Sequence, residues 1–136
     1  MIKQLFEEIC RIKGGTFVIS NAECACEMKL NQLPSTLFQG EILHISAPEW
    51  NFHINTAGIA EAHFVKQKEP SGTIPFLYFL SFKDKDQQTL LSFFFPNPYL
   101  NSNTEKSNYQ KDREILFESI KNKYSSPPLI KYIENL

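Results

Sequence analysis

The sequence predicts an α+β domain built on an antiparallel sheet. An amphipathic segment opens the chain, about seven β-prone runs fill its middle, and two helical segments follow them. Strands in succession, with helices before and after, give this class. At 136 residues the chain is expected to be a single domain, 1–136, with one core.

Residues 1–13 place Ile2, Leu5, Phe6, Ile9 and Ile12 at helical spacing, and Gly14-Gly15 stops the pattern. Residues 16–20 and 24–30 read as short strands, and Leu33-Pro34-Ser35 as a turn. Residues 39–46 read as one strand that Ala47-Pro48 interrupts. Over 50–55 the alternation puts Trp50, Phe52 and Ile54 on one face and Asn51, His53 and Asn55 on the other. Thr56-Ala57-Gly58 turns the chain into a strand over 59–67, and Pro70-Ser71-Gly72 turns it again. Residues 74–82 and 89–95 are the most apolar runs, joined by Lys83-Asp84-Lys85-Asp86, and read as a hairpin covered on both faces. A polar loop over 97–108 follows. Ser107 and Gln110 fit a capping box for a helix over 108–124, with acids early and lysines late. Leu129, Tyr132, Ile133 and Leu136, after Pro127-Pro128, are spaced for a last short helix.

The charge balance excludes some functions. Lys and Arg total 14 against 15 Asp and Glu, and no basic field exists to attract nucleic acid. No apolar run reaches about 18 residues, so membrane insertion is not expected. Glu7 and Glu8 interrupt the first apolar pattern, which no signal peptide tolerates. Three cysteines, Cys10, Cys24 and Cys26, are an odd number without zinc-finger spacing and point to reduced thiols in a cytoplasm. Cys24-Ala25-Cys26 sets two thiols on one strand face, as small core residues or as a soft-metal pair.

The histidines carry the most chemistry. His44, His53 and His63 fall on adjacent predicted strands, so pairing in sequence order brings them near one another. Each either fills a half-buried strand site with one hydrogen bond or serves as a ligand to iron or zinc. Glu61 shares a face with His63 and is placed to orient it. No nucleophile motif, phosphate loop or acid–base pair appears, so no catalytic residue is assigned and an enzyme is the least supported reading. Twelve Phe residues build a core and leave room for a flat apolar ligand.

Four pieces of the chain also resemble one family. They are Phe52-His53-Ile54; Ile59-Ala60-Glu61-Ala62-His63-Phe64-Val65; the turn Glu69-Pro70-Ser71-Gly72; and the apolar hairpin with Asp84 and Asp86 in its loop. Together they resemble the heme-utilisation carrier-like family of the HemS/ChuX/HutX type, over about Thr16 to Phe95. The resemblance implies a large curved antiparallel sheet with an N-terminal helix and C-terminal helices. It also implies a homodimer and cytoplasmic heme binding or trafficking for iron utilisation. By position, His53 resembles the family's second heme-contacting histidine, with Phe52 beside it. The glycine after the family's first histidine resembles Gly40, and the residue before it here is Gln39. His44 and His63 are the imidazoles left to substitute for it. The candidate cofactor-binding set is therefore His53, His63, His44, Phe52 and Gln39, with His53 as the metal ligand. The alternatives are a binding module for another small apolar molecule and a dimeric structural or regulatory protein.

Overall fold

A computed structural model of the chain describes residues 1–101 and 105–136. Helix α1 (Ile2–Ile9) leads into strands β1 (Thr16–Ser20) and β2 (Ala25–Lys29). A three-stranded meander follows, β3 (Ser35–Gln39), β4 (Ile42–Ser46) and β5 (Asn51–Asn55). After a 3-10 turn at Thr56–Gly58 come β6 (Glu61–Lys68), β7 (Phe76–Lys83) and β8 (Thr89–Phe94). Helix α2 (Lys111–Tyr124) and strand β9 (Ile130–Asn135) complete the chain. The large sheet runs β2-β1-β8-β7-β6-β9, and the small sheet runs β3-β4-β5. This is the α+β class that the order of elements predicts. Among the described residues, no helix is long and apolar enough to cross a membrane.

The core lies on one face of the large sheet. Tyr78, Leu80 and Phe82 alternate inward along β7, and Phe17, Phe64 and Phe93 join them from neighbouring strands; all are buried. Helix α1 lays Phe6 on Phe82, stacked at 4.5 Å. Helix α2 turns Phe117 edge-on to Phe64 and Tyr78. The small sheet covers the remainder, with Phe52 edge-on to Phe17 at 5.2 Å. Both helices and the small sheet thus share the inner face. The outer face keeps a half-buried stack of Phe79 on Phe94, at 4.9 Å. The expectation that both faces of the β7–β8 hairpin are covered is corrected accordingly: the outer face is only partly covered.

Gly15 shows how tightly the inner face is filled. A Cβ built there lies 2.3 Å from Phe93 Cζ, and that ring is itself wedged against Phe17 and Phe95. Only glycine lets the backbone approach so closely.

Three local expectations are overturned. Residues 39–46 do not form one strand: Gly40, at φ +61°, and Glu41 make a two-residue loop between β3 and β4. Glycine at the first position of such a loop is the type II′ pattern, whose twist matches the strands. The last segment is a strand, not a helix, and pairs parallel with β6 from Ala62↔Ile130 to Gln67↔Asn135. That makes the large sheet mixed. Pairing along a vacant edge outweighs a helical spacing carried by few residues. The capping box also fails. Helix α2 starts at Lys111, and Gln110 donates from Nε2 to Leu100 O at 2.8 Å and Ser107 Oγ at 3.0 Å, tying down the loop instead. Residues 102–104 of that loop lie outside the described residues.

The thiols divide sharply. Cys10 is buried, which pushes its thiol up to about 12. Cys24 and Cys26 are exposed at the β2 edge rather than packed in the core. A colorimetric thiol titration of native protein is therefore expected to consume two thiols quickly and the third only on unfolding.

Candidate functional site

The small sheet is where sequence and geometry converge. Its alternation sends Leu43, Ile45 and Phe52 into the core. The opposite face presents Leu37, Gln39, Ile42, His44 and His53. Register places Leu37, His44 and His53 side by side across the three strands. The two imidazoles meet edge to face, their ring centres 4.6 Å apart, with His44 Nδ1 2.7 Å from His53 Nδ1. The other nitrogen of His44, Nε2, lies 2.7 Å from Gln39 Oε1. His53 Nε2 has no hydrogen-bond partner among the described residues.

Beside this face a cleft of about 590 Å³ opens at the end of the interface between the two sheets. Phe52, His53 and Ile54 of the edge strand β5 form one wall. Ile19, Leu90 and Leu91 form the other, and Asp84 and Lys85 of the β7–β8 loop stand among its lining residues. The walls are chiefly apolar. Phe52 is held from behind by Phe17 and by Trp50, whose Nε1 donates to Lys29 O at 3.0 Å. Among the described residues no three His, Cys, Asp or Glu side chains cluster to hold a metal ion.

His63 sits elsewhere. It lies on the outer face of β6, an interior strand of the large sheet, buried, with Nε2 2.9 Å from Glu61 Oε2. Glu61 also meets Lys131 Nζ at 2.8 Å and accepts from Gln87 Nε2 at 2.9 Å. Hydrogen bonds from Lys131 and then His63 hold the Glu61 carboxyl down at about 2. A carboxyl whose pKa is lowered by folding stabilises the fold above its unfolded pKa of about 4.3 and loses that contribution as pH falls toward the folded value. Glu61→Gln is therefore expected to lower the urea midpoint at neutral pH. The gap from the native protein should close between about pH 4.5 and about pH 2.

Of the five residues singled out from sequence, the structure brings Gln39, His44 and His53 together on the exposed face of the small sheet, turns Phe52 to the opposite face, where it lines the cleft with His53, and leaves His63 apart. The opposite wall was not singled out. Ile19 and Leu90 are exposed apolar residues at strand ends, and nothing in their local pattern sets them off from other strand residues.

No family model matches the chain, and no curated protein matches it in sequence. Solved structures do match. The heme binding protein ChuX aligns with a TM-score of 0.67 at 13% identity, covering 87% of this chain and 69% of ChuX. A protein from Agrobacterium tumefaciens aligns at 0.71 with 12% identity, covering 90% of this chain and 66% of that one. The chain has a ChuX-like fold. Holo-PhuS, a heme-binding protein from Pseudomonas aeruginosa, aligns at 0.60 with 19% identity; the match covers 87% of this chain but 32% of PhuS.

Proposed function

We propose that the chain binds heme at the cleft lined by Phe52 and His53 and carries it between other proteins. One observation carries the reading: a single imidazole with an unengaged Nε2 stands on an apolar cleft, in a fold that two heme-binding proteins share. The residues fit such a ligand. The cleft is of the size that holds small cofactors, and its walls offer aromatic and aliphatic carbon rather than charge. Lys85 is a cation suited to a carboxylate at the margin. Heme would supply an iron that neutral imidazole ligates, and its further chemistry belongs to the cofactor. The protein supplies burial, one nitrogen and an open margin, a combination suited to release as well as capture. Three free thiols suit a cytoplasmic setting.

Hemin titration of the purified protein tests the reading. The expected result is a sharpened, red-shifted Soret band that saturates at equimolar hemin. A spectrum no different from that given by an unrelated protein of similar size overturns it. We also propose a homodimer; gel filtration at two concentrations checks it, and a monomer at both counts against it.

A second reading has its own observation. Gln39 stands where the resembling family carries a histidine, and it bonds to His44 rather than reaching the cleft. A cleft with one imidazole also accepts another flat, apolar molecule without metal ligation. Saturable binding of metal-free protoporphyrin as tight as that of hemin favours this reading.

A further inference from the structure

Gln39, His44 and His53 form one line of hydrogen bonds across the exposed face of the small sheet. With the Gln39 amide oxygen turned to His44, elementary counting sets the hydrogens along it. An amide oxygen has lone pairs and no hydrogen, so His44 Nε2 donates to Gln39 Oε1. A neutral imidazole has a single N–H, so His44 Nδ1 is left as an acceptor. His53 Nδ1 faces it at 2.7 Å and must provide the hydrogen. His53 Nε2 is then a bare lone pair on a ring that lines the cleft. We propose that Gln39 is a positioning residue that acts through His44 to hold His53 in the tautomer whose Nε2 can ligate a metal in the cleft.

The arrangement has a direct physical use. Free imidazole exchanges its hydrogen between the two nitrogens, and a ring with the hydrogen on Nε2 cannot ligate through that atom. An acceptor for Nδ1–H removes the wrong tautomer and raises the basicity of the nitrogen that ligates. Here the acceptor is a second histidine, whose own hydrogen is fixed by an amide oxygen. Reversing the amide reverses every bond in the line and places the hydrogen on His53 Nε2. Gln39 thus sets the state of His53 without itself lining the cleft.

The proposal rests on the heme reading only for the identity of the ligand; the tautomer is a property of the protein alone. Gln39 is exposed, so Gln39→Leu removes the acceptor with little effect on folding, and Gln39→Glu keeps an oxygen that only accepts. Long-range proton–nitrogen correlation spectra of the hemin-free protein are recorded at alkaline pH, where imidazole is neutral. The expected spectrum has the His53 hydrogen on Nδ1 in the native protein and in Gln39→Glu. In Gln39→Leu it moves toward the Nε2–H form. A native His53 protonated on Nε2, or a tautomer unchanged in Gln39→Leu, overturns the proposal. With hemin, Gln39→Leu is expected to raise Kd on the order of tenfold, as loss of an outer partner does for metal ligands, and Gln39→Glu to leave it near the native value. If hemin binds none of the three proteins but the tautomers behave as stated, the heme reading fails and the positioning role stands. If hemin binds all three equally and the tautomer never moves, the positioning role fails and the heme reading stands.

Discussion

His53→Ala is expected to weaken hemin binding on the order of a hundredfold, about 2.7 kcal/mol, and to abolish the sharpened Soret band. The variant removes the one imidazole that lines the cleft, while Phe52, Ile54, Leu90 and Leu91 still offer their apolar walls. Residual binding should therefore resemble non-ligated porphyrin, with a broad, poorly shifted band. The fold should scarcely notice, because His53 is exposed on an edge strand and the urea midpoint should move by no more than about 0.5 kcal/mol equivalent. His63→Gln is the informative control. His63 is buried on the outer face of β6 and bonded to Glu61, so its loss should lower stability and leave the hemin spectrum as it was. Equal losses of hemin affinity in the two variants would remove the case for His53 as the ligand.

The largest effect on stability is expected from Phe82→Ala, about 3–5 kcal/mol. Phe82 is fully buried, stacks on Phe6 at 4.5 Å, and faces Ala62 and Leu91 across its two neighbouring strands. Ala62 is too small to fill the space left, and Leu91 belongs to a packed strand, so the cavity persists. Such a loss is a large part of the total stability of an ordinary domain, roughly 5–15 kcal/mol. Phe79→Ala, three residues earlier on the outer face, removes a ring of the same size from a half-buried stack and should cost about 1–2 kcal/mol. Urea unfolding of the pair measures how one-sided the core is. Equal losses would contradict a core confined to the inner face.

Sequence reading recovers the parts of this molecule that local chemistry decides. The β7–β8 hairpin is legible because long apolar runs flank a charged loop, and β5 because Phe52-His53-Ile54 alternates cleanly. Gly40 is harder, since a glycine inside an apolar run fits a bulge as well as a turn, and only its positive φ decides. Strand β9 is illegible on its own. Leu129, Tyr132, Ile133 and Leu136 satisfy a helical spacing, and the partner that makes them a strand lies more than sixty residues away in β6. His53 and His63 look alike in sequence. What separates them is the sheet each belongs to: His53 lies on the edge of the small sheet and His63 in the interior of the large one. The opposite wall of the cleft, Ile19 and Leu90, depends on how the two sheets meet, which no local pattern contains.

The pairing of β9 with β6 bears on the order in which the molecule can be made. Ala62 through Gln67 acquire their last neighbours from residues 130–135. Glu8 near the start of the chain is tied to Lys123 and Tyr124 near its end. A chain emerging from the ribosome therefore carries β6 with one unpaired edge until residues 130–135 have followed it. Bare edges of that kind recruit strands from other chains. Emergence of residues 130–135, rather than the collapse of any single segment, is the step at which this edge becomes safe from its neighbours.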